Sequence, residues 1–110
     1  MQNENHKYLR MKNIIDRITK METILDELTV VVEKTDKAMN ELTDSLKDLE
    51  TLKKYYESQY MKDVMEEKRG EVPQDLKRGV LSEDAVHMLL TDLVELSFKM
   101  EKLSNKIRGF

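Results

Sequence analysis

The chain has 110 residues, of which 19 are Lys or Arg and 22 are Asp or Glu, so its formal net charge is −3. It contains no cysteine, which excludes a disulfide scaffold, a thiolate metal site and a cysteine nucleophile. Its three glycines are too few for a glycine-rich phosphate-binding loop, and its slightly acidic balance argues against nucleic acid as the main partner.

The first block, residues 8–60, has no glycine or proline and carries apolar residues at alternating steps of three and four. Of 15 consecutive positions in this series, 13 are apolar and the exceptions are Thr35 and Lys53. We call the apolar members the first stripe: Met11, Ile14, Ile18, Met21, Leu25, Leu28, Val32, Met39, Leu42, Leu46, Leu49, Tyr56 and Tyr60. A mean step of 3.5 residues is the period of a coiled coil, so we expect an all-α, coiled-coil-like antiparallel bundle.

Two topologies are compatible with the first block. A β-branched run at residues 29–32 precedes Thr35 and Asp36, both good N-cap types, so the chain could break near Thr35 and form an up-down-up three-helix bundle. Alternatively, the block is one helix of about 50 residues, near 75 Å long. The stripe keeps its phase on both sides of Thr35, which favours the single helix.

The second block, residues 61–81, is predicted to be a turn-rich connector. It contains Gly70, Pro73 and Gly79, which all favour turns. We expect one or two amphipathic helical turns before Gly70 and a turn after Pro73. Gly79 is expected to end that turn with a positive φ.

The third block, residues 82–108, is predicted to be a helix with Ser82 as its N-cap and Gly109 after its end. Leu81 and Val86 occupy the positions of a hydrophobic staple. A second stripe repeats at the same steps: Val86, Leu89, Leu93, Leu96, Met100, Leu103 and Ile107. The simplest arrangement packs the two stripes antiparallel against each other, in one helical domain over residues 1–110.

Residues 75–84, with the sequence DLKRGVLSED, resemble the signature block of the bacterial domain-of-unknown-function family 4298. Upstream, the Tyr55-Tyr56 pair, Asp63 and Gly70 fall where similar residues fall in that family, whereas this chain has Tyr60 where a tryptophan is expected. The resemblance covers nearly the whole chain. It implies a short, helical, soluble protein and carries no assigned activity.

The candidate interaction surface includes three tyrosines, Tyr55, Tyr56 and Tyr60, beside Met61 and Met65. These rings could form an aromatic surface for a ligand or a peptide. The alternative, which we favour, is that they plug the end of the bundle and keep their hydroxyls in water.

Charged connector residues complete the candidate surface, namely Asp75, Lys77 and Arg78. The many acids of the connector could hold a hard cation, but their spacing matches no known metal loop. We favour a turn held by its own hydrogen bonds and ion pairs. His6 and His87 are isolated in the sequence, so no catalytic set of residues is visible.

The sequence therefore predicts a non-catalytic helical interaction or scaffolding protein that self-associates, most simply as a dimer. We expect no enzymatic activity, cofactor, metal or membrane span, and a cytoplasmic location. Two alternatives stay open. One is a small-ligand or metal-binding protein using the acidic connector, and the other is a weakly nucleic-acid-associated protein using the basic residues near the C-terminus: Lys99, Lys102, Lys106 and Arg108.

Overall fold

A computed structural model describes residues 2–110, with side chains from Glu4 onward. The elements are α1 (Gln2–Ser58), α2 (Tyr60–Lys68), a 3₁₀ turn (Gly79–Leu81) and α3 (Glu83–Arg108). The all-α class, the long N-terminal helix and the C-terminal helix are confirmed. The chain divides into two compact units, the first ending at Thr51 and the second covering Leu52–Phe110.

Helix α1 continues through Thr35 without a break, so the three-helix alternative is wrong. The Thr35 hydroxyl donates a 2.8 Å hydrogen bond to the Val31 carbonyl one turn earlier. Thr29 makes the same kind of bond to Leu25. Hydroxyls that bond within the helix are not available to cap a new one, which explains why a good N-cap residue starts no helix here.

The side chains of the first stripe are exposed along the first unit. Leu28 is 57% exposed and Val32 is 65% exposed, and only Leu42 and Leu49 are half-buried. In the second unit, Leu103 of the second stripe is 50% exposed. Most of these apolar side chains are thus not covered by the described residues of their own unit, because periodicity indicates that a stripe needs cover but not which surface provides it.

Helix α2 confirms the amphipathic turns expected before Gly70, and Gly70 ends it. Gly70 has a φ of 76°. Its N–H donates to the Glu67 carbonyl at 3.0 Å, and the N–H of Glu71 donates to the Glu66 carbonyl at 3.1 Å. These two bonds are the Schellman motif, which requires a left-handed residue at this position.

The segment between α2 and α3 consists of two turns. The N–H of Leu76 donates to the Pro73 carbonyl, which confirms the turn expected after Pro73. The 3₁₀ turn follows, closed by a bond from the Leu81 N–H to the Arg78 carbonyl. Gly79 begins this turn without a positive φ, so the conformation predicted for Gly79 is wrong. The left-handed glycine is Gly70, because the chain must leave a helix there.

Helix α3 begins after Ser82 and is followed by Gly109, as predicted. Ser82 has the extended backbone of an N-cap, but its side chain makes no capping hydrogen bond. Leu81 and Val86, the staple positions, are both half-buried. Among the described residues, no helix is both long enough and apolar enough to cross a bilayer.

Replacing Gly70 by alanine should destabilise the second unit by about 1–2 kcal/mol, because an L-residue is strained in the left-handed region. Gly79→Ala is the matched control. A Cβ at Gly79 meets nothing within 4 Å and the φ is ordinary, so we expect little loss. Urea unfolding followed by tyrosine fluorescence measures both, and equal losses in the two variants would contradict this assignment.

Candidate functional site

The three predicted tyrosines lie together where α1 meets α2. Tyr55 and Tyr56 occupy the last turn of α1, and Tyr60 begins α2 after the single residue Gln59. The rings of Tyr56 and Tyr60 are stacked with centroids 4.3 Å apart. The ring of Tyr55 stands edge-on to Tyr56 at 6.1 Å. We call Tyr55, Tyr56 and Tyr60 the tyrosine cluster.

Two hydroxyls of the tyrosine cluster bind the backbone that leads into α3. Tyr56 donates to the Val80 carbonyl at 2.9 Å and also lies 3.2 Å from the Ser82 carbonyl. Tyr60 donates to the Leu81 carbonyl at 3.2 Å. Three successive carbonyls are thereby tied to the end of α1 and the start of α2. The cluster fixes the position at which α3 begins.

The third hydroxyl of the cluster binds an acid. Tyr55 donates to Asp63 Oδ2 at 2.7 Å, and the Gln59 amide donates to Asp63 Oδ1 at 3.1 Å. The hydrogen bond from Tyr55, and to a smaller extent the one from Gln59, lowers the pKa of Asp63. Together they outweigh the partial burial of Asp63, which by itself would raise this pKa. Partial burial and the bond to Asp63 raise the pKa of Tyr55 to about 12.

The electrostatics of Tyr56 follow the same pattern. Partial burial is the main cause of the raised pKa of Tyr56, and the neighbouring Tyr60 and Glu83 raise this pKa further. A phenol with a raised pKa stays protonated at neutral pH, where it donates a hydrogen bond and does not act as a base. The cluster is therefore suited to holding backbone carbonyls and a carboxylate.

Arg78 ties the connector to α2. Its guanidinium donates to the Pro73 carbonyl at 2.8 Å and lies 3.5 Å from Glu67 Oε2. Ion pairs with nearby acids were expected for both Lys77 and Arg78; the pair is confirmed for Arg78, whereas Lys77 makes no ion pair among the described residues. Asp75 and Lys77, the other predicted connector residues, are exposed. Arg78 and the tyrosine cluster thus hold the same connector through separate hydrogen bonds, and Asp75 remains exposed.

A shallow cavity of about 200 Å³ lies beneath the connector. Tyr55, Asp63 and Arg78 supply polar groups to its wall, and Leu76 and Leu81 supply apolar ones. The polar groups already bind one another or the backbone. Within the described part of the chain, no group of three or more His, Cys, Asp or Glu side chains could hold a metal ion.

Gln59 was not singled out from the sequence, and Asp63 entered only through the family resemblance and as one of the connector acids. Their spacing of four residues is typical of an amide-to-carboxylate pair on a helix, so this bond had a local signal. The bond from Tyr55 to Asp63 spans eight residues and the junction at Gln59. It had no comparable signal in the sequence.

The family model described as "Domain of unknown function (DUF4298)" matches residues 18–103. The chain belongs to this family. The match includes the tyrosine cluster, the connector, most of α3 and α1 from Ile18 onward, which confirms the resemblance seen in residues 75–84. No curated protein and no solved structure shows a significant match. Because the function of the family is unknown, membership of DUF4298 assigns no activity to the chain.

Removing the Tyr56 hydroxyl should loosen the start of α3. Tyr56→Phe loses the bonds to Val80 and Ser82, and a lost hydrogen bond of this kind costs about 0.5–1.5 kcal/mol. We expect faster amide hydrogen exchange at Leu81 and Ser82. Tyr8→Phe, at an exposed tyrosine of the first unit, is the control and should leave these amides unchanged. Unchanged exchange in Tyr56→Phe would contradict the anchoring role.

The pair of Tyr55 and Asp63 predicts how stability depends on pH. The lowered pKa of Asp63 contributes stability above its ordinary value of 3.8, which is lost as pH falls through the lowered pKa. The raised pKa of Tyr55 contributes stability below pH 10, which is lost as pH rises from 10 towards 12.

Tyr55→Phe tests this pair directly. In this variant the pKa of Asp63 should rise, as measured by NMR titration of its carboxylate, because its principal donor is gone. Tyrosinate absorbance should also lose its component near pH 12. An unchanged Asp63 titration would show that the hydrogen bond does not form in solution.

Proposed function

We propose that this protein is a non-catalytic helical interaction module that self-associates through the first stripe. The observation that carries the proposal is the exposure of that stripe along α1. The proposal includes a cytoplasmic location, with which the absence of cysteine is compatible.

The exposed apolar surface is continuous over many turns. Ile18, Leu25 and Val32 are each more than half exposed, and no side chain among residues 4–110 reaches full burial. Soluble monomers rarely expose an apolar patch larger than a few hundred Å². A helix of this length in water also depends on packing for most of its stability. Both considerations favour a partner on this face.

The period of the stripe favours a helix as that partner. A repeat of 3.5 residues drifts by about 20° per heptad around a straight α-helix of 3.6 residues per turn. A flat surface cannot follow that drift, whereas a second helix can wind with it as a coiled coil. A second copy of the chain brings an identical stripe of matching period.

The polar groups of the second unit support a structural role. The tyrosine cluster, Asp63 and Arg78 bind one another or the connector backbone. They therefore shape the second unit and have few free donors or acceptors for a substrate. We therefore assign the proposed interaction to the exposed face of α1.

Two substitutions on α1 test self-association. Leu28→Lys places a charge in the first stripe, and Val30→Lys, two residues along, places the same charge on the opposite face of the helix. Burial of one leucine contributes about 1.5–3 kcal/mol and occurs twice in a dimer, so Leu28→Lys should weaken association by about a hundredfold or more. Val30→Lys should have little effect.

Sedimentation equilibrium over a wide concentration range measures these changes. The native chain should show twice the chain mass of 13.0 kDa, and Leu28→Lys should shift towards the monomer at the same concentrations. A native chain that stays monomeric at all concentrations would overturn the proposal, as would equal weakening by the two lysine substitutions.

A further inference from the structure

We infer that two copies of α1 pair antiparallel, with the dimer axis close to Val31. This inference rests on the proposed self-association and specifies its geometry. It is carried by the exposed faces of α1, the two polar interruptions of the stripe and the distribution of charge along the helix.

The heptad register follows from the stripe. Taking Met11 as position a puts Ile14 at position d, and the same alternation continues to Leu49. In an antiparallel pair, each a residue faces a d residue of the other helix. One register matches the part of the stripe that lies in the first unit, residues 11–49. Its facing pairs are Met11 with the partner's Leu49, Ile14 with the partner's Leu46, Ile18 with the partner's Leu42, Met21 with the partner's Met39, Leu25 with the partner's Thr35 and Leu28 with the partner's Val32.

The two registers that differ from this one by a single heptad set apolar side chains against lysines. A slip of seven residues in one direction sets Ile14 against the partner's Lys53. A slip in the other direction sets Leu46 against the partner's Lys7. In the chosen register, Lys7 faces the partner's Lys53 just outside each end of the paired region, where both side chains are exposed. That region also matches the first unit, which ends at Thr51.

The residues beside the stripe favour the antiparallel arrangement. Ile24, Val31 and Ala38 occupy position g and are exposed in the single chain. Antiparallel pairing sets g against g, so Val31 meets the partner's Val31 and Ile24 meets the partner's Ala38. Parallel pairing sets g against e and would face Val31 with the partner's Asp36. Only the antiparallel arrangement buries these side chains against apolar ones.

Charge along α1 favours the same orientation. Residues 7–20 carry five cations and one anion, a net charge of +4, and residues 40–53 carry four anions and two cations, a net charge of −2. The antiparallel register lays these segments beside each other. A parallel pair in register would lay the +4 segment beside its own copy, where the two would repel each other.

One flanking contact opposes this orientation. Glu22 at position e would lie near the partner's Asp36, whereas a parallel pair would place Arg17 near the partner's Glu22. Ion pairs at the exposed edge of a coiled coil contribute little. The burial of Ile24 and Val31 in both chains outweighs them.

Disulfide mapping tests the orientation, since the native chain has no cysteine. Met21→Cys and Met39→Cys are prepared as separate full-length variants, tested alone, and then mixed through unfolding and refolding before oxidation. In the antiparallel pair, Met21 faces the partner's Met39, within reach of a disulfide. The two copies of residue 21 are then separated by 18 residues, about 27 Å along the helix, too far for one.

We expect neither variant alone to cross-link and the mixture to cross-link up to about half of its chains, the statistical share of mixed dimers. Efficient cross-linking of each variant alone would identify a parallel pair and overturn this inference. Ile18→Cys mixed with Leu42→Cys repeats the test at a second facing pair, and a failure of both mixtures would also overturn it.

Sedimentation of the native chain distinguishes a failure of the proposed self-association from a failure of the antiparallel orientation. A native dimer whose cysteine variants cross-link in the parallel pattern leaves the proposed self-association intact and removes only the orientation. A native monomer removes both. Each reduced variant is sedimented as well, and only variants that retain the native mass are used for cross-linking.

Discussion

An apolar stripe that repeats every 3.5 residues runs along α1, and α1 cannot cover it by itself. The side chains of a lone helix shield one another only in part, so Leu28 and Val32 keep more than half of their surface in water. Apolar surface in water is unfavourable in proportion to its area. The exposed face of the long helix is the basis of the self-association proposed above.

The second unit meets a different requirement, which is to start α3 at a defined place. It does so with polar contacts. The hydroxyls of Tyr56 and Tyr60 bind the carbonyls that lead into α3, and Arg78 binds the Pro73 carbonyl. Backbone groups in a loop need hydrogen-bond partners wherever water is excluded. The tyrosine cluster supplies them while its stacked rings pack against one another.

The two units therefore differ in how they are stabilised. The first unit is a stretch of α1 whose apolar face is exposed, whereas the second closes its turns through its own side chains. A partner on α1 would lie on the stripe of the first unit. The contacts of the tyrosine cluster all lie within the second unit, so they do not compete for that stripe.

Local patterns in the sequence determined the long first helix and the ends of α3, but not the break at Gln59 that separates α1 from α2. The unbroken phase of the stripe on both sides of Thr35 predicted a single α1, because a loop would have shifted that phase. Ser82 and Gly109 marked the ends of α3 for similar local reasons. The residues of the tyrosine cluster were also visible, because three tyrosines lie within six positions of one another.

Only the tertiary structure decided what the tyrosines bind and which glycine is left-handed. Tyr56 reaches a carbonyl 24 residues away, and Tyr55 reaches Asp63 across the junction at Gln59. The path of the chain at α2 assigns the positive φ to Gly70 instead of Gly79. Such contacts depend on how the chain turns after Gly70. A periodic pattern reports which face of a helix needs cover, but it does not report the path of the chain between helices.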